Sequence, residues 1–94
     1  MSLKSDIKKI KSGDIIEVAW EDTLADNSWT DINDIDYPKD VMYSCGYYVG
    51  IIGDRLVLTL SAQTIDNEVR KISSFKYIPL GCILKVRLVS KQRR

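Results

Sequence analysis

Histidine is absent from this chain of 94 residues. That removes the commonest general base and the commonest ligand for a transition metal. Cysteine occurs twice, as Cys45 and Cys82, without C-x-x-C spacing and in too small a number for a structural zinc centre. With no histidine to activate either thiol, both read as core cysteines kept reduced, which predicts a cytoplasmic protein. No apolar run approaches the roughly 20 residues of a membrane-crossing helix, and the N-terminus lacks the apolar stretch of a secretory signal. A Gly-rich phosphate loop is missing too. Together these absences predict a non-enzyme without a cofactor.

A chain of this length supports one hydrophobic core, so a single domain is expected over residues 1–94. Its parts read as a helical segment over residues 1–13, a β domain over 14–89 and a basic tail over 90–94. Leu3, Ile7 and Ile10 recur at helical spacing with lysines between them, and Gly13 stands where such a helix would end. From Ile15 the period changes to two. Ile16, Val18 and Trp20 face one way, Glu17, Ala19 and Glu21 the other, as in a half-buried strand.

Residues 22–40 are acidic and lack a β-branched run, which predicts a long loop carrying one short helical turn. Trp29, Ile32 and Ile35 are its available pins, and Trp29 is expected to fold the loop onto the domain as a structural anchor, with Trp20 inside as the other. Met42 to Ile52 reads as a second strand, bent at Gly46 and Gly50 or closely approached there by another backbone. Gly53-Asp54 turns the chain into a third strand over Leu56 to Ser61. A polar stretch, Gln63 to Glu68, leads to a fourth over Ile72 to Ile78, Pro79-Leu80-Gly81 is a turn, and Ile83 to Val89 is the fifth. One helix and five short strands predict a mainly β fold, a small barrel.

Charge is sorted along the chain although the net value is only +1. From Asp14 to Asp40 nine acids stand against Lys39, a net of −8, and from Arg70 onward eight cations meet no acid. Either the two halves compensate each other within the fold, the favoured reading, or one of them meets a partner. A calcium loop starting at Asp31 fails, because Asp36 stands where glycine is needed and Met42 where a bidentate glutamate belongs. Lys76, Lys85, Arg87, Arg93 and Arg94 are the candidates for nucleic-acid or subunit contact. Phe75 and Tyr77 share a face beside them and read as core in preference to a stacking platform.

The series Val18-x-Trp20-x-Asp22, Trp29, Ser44-x-Gly46-Tyr47-x-Val49, Leu56 to Leu60 and Ile78-Pro79-x-Gly81-x-Ile83 resembles small uncharacterised proteins encoded by bacteriophages and prophages. In the order of its elements the chain also resembles Sm-like and SH3-like barrels. That likeness implies a strongly bent five-stranded sheet and ring assembly. It does not extend to the Sm uridine pocket, since Leu58 to Ala62 lacks its Asp and Asn and Pro79 replaces the Arg before glycine. The expected function is therefore a phage-type accessory or assembly module working through protein contacts, as a homo-oligomer or with another protein and with no membrane partner. Single-stranded RNA or DNA binding by the basic half is the alternative.

Overall fold

The computed structural model describes residues 3–21, 29–34 and 41–92. Strands β1 (Ile15–Glu21), β2 (Val41–Ile52), β3 (Arg55–Ile65), β4 (Glu68–Pro79) and β5 (Ile83–Ser90) form one antiparallel sheet in the order β4-β3-β2-β1-β5. A short helix α1 (Leu3–Lys8) precedes them, and 3₁₀ turns lie at Ile32–Asp34 and Leu80–Cys82. The fold is mainly β, as the periodicity predicts. The sheet is not closed: β4 and β5 are its two edges.

The alternation of β1 sets the inside. Ile16 and Val18 are fully buried, and they share one core with Leu56 and Leu58 of β3, Ile78 of β4, Ile83 and Val86 of β5, Tyr48 of β2 and Ile10. Because side chains from both edge strands meet in that cluster, the sheet curls over its own inner face. Each fully buried aliphatic side chain contributes about 1.5–3 kcal/mol. Strand β2 makes the corner: Val41 to Tyr47 pairs with β1, and Tyr47 to Ile52 pairs with β3. A Cβ on Gly46 would lie 2.7 Å from the carbonyl oxygen of Thr59, so the two backbones approach as only glycine permits. The close approach expected at Gly46 is present.

Helix α1 ends at Lys8, several residues before Gly13. Gly13 instead sits at φ 97 in the turn entering β1, and donates its N–H to the carbonyl of Tyr48. Leu3 and Ile7 still pack against the core, so the apolar spacing points inward as expected although the helix is shorter. Asp14, counted above among the charges of an acidic half, is buried. Its Oδ2 accepts the N–H of Lys11, its Oδ1 accepts that of Gln92, and its carbonyl accepts that of Tyr48.

The polar stretch Gln63 to Glu68 is not a separate connection. Strands β3 and β4 run through it as one long hairpin whose turn is Asp66-Asn67, at φ 54 and 66. Asp and Asn tolerate this left-handed backbone, which a tight two-residue turn requires at both positions.

Gly46→Ala is expected to lower stability by about 1–3 kcal/mol, because Thr59 backbone must move, whereas Gly81→Ala, with open space around it, is expected to be neutral. Chemical denaturation of both variants checks the pair. Burial raises the pKa of the Tyr48 phenol above its ordinary 10.0. The unfolded chain therefore ionises first, so the stability linked to Tyr48 is intact below pH about 10 and is lost as pH rises beyond it. As pH rises through that range the denaturation midpoint of the parent should fall relative to that of Tyr48→Phe, which has no phenol to ionise.

Candidate functional site

Two of the sequence candidates come together on the outer face of the sheet. Register pairs Ala19 with both Lys85 and Tyr43, and Glu17 with both Arg87 and Cys45, giving two adjacent cross-strand rows over β5, β1 and β2. Glu17, Ala19, Tyr43, Lys85 and Arg87 line a shallow depression of about 250 Å³. Alanine is the smallest of these side chains and leaves the floor low between the larger neighbours. Arg87 Nε approaches Glu17 Oε1 at 3.4 Å, a solvent-exposed pair that contributes at most about 1 kcal/mol. The depression thus offers an ammonium, a guanidinium, a carboxylate already beside the guanidinium, and a phenol ring around a small apolar floor, a seat for an aromatic group with one cation, Lys85, beside it.

Lys76 lies elsewhere. It stands opposite Leu58 on the inner face, and its Nζ is 4.9 Å from the centre of the Trp20 ring. The cations of the C-terminal half therefore do not form one patch. Arg93 and Arg94 lie outside the described residues. Trp20 is half-buried as an anchor, packed against the core with its Nε1 donating to Ser44 Oγ at 2.9 Å.

Trp29 differs from expectation. It is 104% exposed, so it does not fold the acidic connection onto the sheet. Ile32 follows it at 83% exposure on the 3₁₀ turn, where Asp31 Oδ1 accepts the N–H of Asn33 and the Asp31 carbonyl accepts that of Asp34. Ile35 lies outside the described residues. Phe75 and Tyr77 also depart from expectation: they are outward-facing and about half exposed, not core. Their rings meet edge to face at 5.3 Å, and the Arg55 guanidinium lies 5.8 Å from the Tyr77 ring. The reason lies across the strand pair. Each stands opposite a residue of β3, Thr59 and Val57, that is buried but lies on the face away from the core cluster, while the position between them on the cluster's side belongs to Lys76, opposite Leu58.

Among the described residues no group of three His, Cys, Asp or Glu side chains could hold a metal ion. Cys45 is exposed and Cys82 partly buried, neither in a disulfide. Tyr43, missed in reading the sequence as a functional residue, joins the depression because β2 pairs with β1 opposite Ala19, a neighbourhood that periodicity alone cannot reveal. Comparison with protein-family models, with curated proteins and with solved structures gives no match.

The two tryptophans should separate cleanly. Trp20→Ala is expected to cost about 3 kcal/mol through lost packing and the lost indole hydrogen bond, and Trp29→Ala to change stability by less than about 0.5 kcal/mol. Thermal and urea denaturation of both variants measures the difference.

Proposed function

We propose that this chain is a non-catalytic accessory or assembly module that works through protein contacts, with further copies of itself, joined head to tail, as its first partner. The observation that carries this reading is the outer part of the β3–β4 hairpin. Leu56 to Thr59 are all buried, but from Leu60 to Tyr77 no residue is. Leu60, Ile65, Phe75 and Tyr77 are among the exposed apolar side chains there. A two-stranded ribbon alone in water is marginally stable, and an uncovered edge invites pairing. Covering this ribbon with a neighbouring subunit removes both liabilities.

In this reading the curled sheet is a barrel of Sm-like or SH3-like type left open between β4 and β5, and the neighbour completes it. The opposite charges of the two halves of the chain favour association of unlike surfaces, which closes into a ring where the rotation allows. The phage-type setting rests on the sequence resemblance, and the cytoplasmic one on two cysteines outside any disulfide.

A second reading has its own observation. The outward Phe75 and Tyr77 rings with Arg55 beside them offer faces for stacking and a cation for phosphate, the elements of a single-stranded nucleic-acid surface.

Light scattering after size exclusion is expected to give a discrete multiple of the 10.7 kDa chain mass. Hydrogen exchange should show the amides of the β3–β4 ribbon protected in the assembled form. A monodisperse monomer at high protein concentration and low salt contradicts the proposal. Salt-sensitive binding of fluorescent single-stranded RNA or DNA, weakened by Tyr77→Ala, would put the second reading in its place.

A further inference from the structure

We propose that the 3₁₀ turn between β1 and β2 is a docking knob, and that its seat is the Lys85–Arg87 depression of a second copy of the chain. This rests on the self-association proposed above and names the contact that would make it specific.

The knob is preformed. Its turn is held by the Asp31 Oδ1 to Asn33 N–H bond at 2.9 Å and the Asp31 carbonyl to Asp34 N–H bond at 2.9 Å. Trp29 and Ile32, three residues apart, are the two most exposed large apolar side chains among the described residues. A tryptophan held out in water beside an ordered turn has the character of an interface anchor, since tryptophan dominates binding hot spots and loses little rotamer freedom when it docks. The segment that carries it is acidic in sequence: residues 22–40 hold six aspartates against Lys39, a net of −5.

The seat complements this in chemistry. Tyr43 and Lys85 flank Ala19 in one row and Arg87 stands in the next, about a depression of roughly 250 Å³. An indole lying over Ala19 gains ring contact with Tyr43 and a cation–π contact with Lys85 or Arg87. Asp31 and Asp34, beside the indole in sequence, then meet the same two cations. Arg87 is available for this because its contact with Glu17 is single and long, through Nε at 3.4 Å. Within one chain Trp29 makes no use of the sheet, so the second copy is the occupant that joins the two surfaces.

The test uses the full chain. Trp29→Ala should raise the self-dissociation constant by about tenfold or more, with melting temperature unchanged. Lys85→Glu should weaken association as well, and adding Asp34→Lys to it should restore most of the loss, because exchanging the partners keeps the pair complementary. In a Trp20→Phe background the emission of Trp29 should shift to shorter wavelength with rising concentration, in step with the mass. Unchanged association in Trp29→Ala overturns the inference while leaving self-association standing. A blue-shifted Trp29 in a dilute monomer overturns it in favour of docking onto its own sheet. A monomer at every concentration removes the self-association on which it rests.

Discussion

Among the described residues the one short helix α1 and the segment after it cover only part of the inner face of the five-stranded sheet, so the rest is buried by the sheet turning on itself, and the turn is made where β2 passes from β1 to β3. At that corner the Thr59 carbonyl lies where a Gly46 side chain would begin. The missing Cβ is therefore a condition of the core, since a wider separation would carry Leu56, Leu58 and Ile78 away from Ile16 and Val18. Thr59 reinforces the corner from the other side. Fully buried, its hydroxyl is shared between the carbonyls of Ser61 and Ser73, at 2.9 and 2.8 Å, binding β3 to β4 beside Ser74, whose φ is 59. A buried hydroxyl left unpaired would cost about 1–3 kcal/mol, so this contact also sets the conformation of its neighbours.

The same bend has a second consequence. Once β3 leaves the company of β2 beyond Thr59, its continuation has β4 for company and no buried residue. Core and ribbon are thus two products of one corner: the bend that closes the inner face over β1 sends the far half of the hairpin into solvent. Asp14 works at the opposite end of the domain. By accepting from Lys11 and Gln92 through its side chain and from Tyr48 through its carbonyl, it ties the segment after α1 and the residue beyond β5 to the middle of β2. One end of the sheet is locked by hydrogen bonds while the other runs out into the β3–β4 ribbon, which has no buried residue from Leu60 to Tyr77.

What was legible in the sequence follows the range of the interactions involved. The inner phase of β1, the strand character of Met42 to Ile52, the Gly53-Asp54 connection and the stop at Pro79 are local patterns, and they match the fold. Gly46 was legible as a special position because glycine within a β-branched run needs a reason, although its partner, Thr59, was not. Asp14 was misread because a carboxyl looks the same in sequence whether solvated or buried under backbone donors. Phe75 and Tyr77 were misread because apolar alternation implies an inside face only where the opposing strand continues the core, and here Lys76 holds the inner position. Asp66-Asn67 carried a turn signal that the polarity of its neighbours concealed. The depression was invisible for the plainest reason: its residues come from three strands whose adjacency is decided by the whole sheet.

Charge sorting along the chain acquires a spatial meaning from the strand order. Because β1 pairs with β5, the acidic and basic halves do meet within the fold, and among the described residues Glu17 and Arg87 form an ion pair between them. That contact is exposed and long, so it neutralises little of the segregated charge. The acidic connection leaves the sheet after Glu21 and returns at Val41, a pair only two residues along from Ala19 and Tyr43, while its ordered turn keeps Trp29 and Ile32 in solvent. Under the self-association proposed above, each copy would carry both signs, Asp31 and Asp34 on the turn and Lys85 and Arg87 on the sheet, which is the condition for a head-to-tail contact between unlike surfaces.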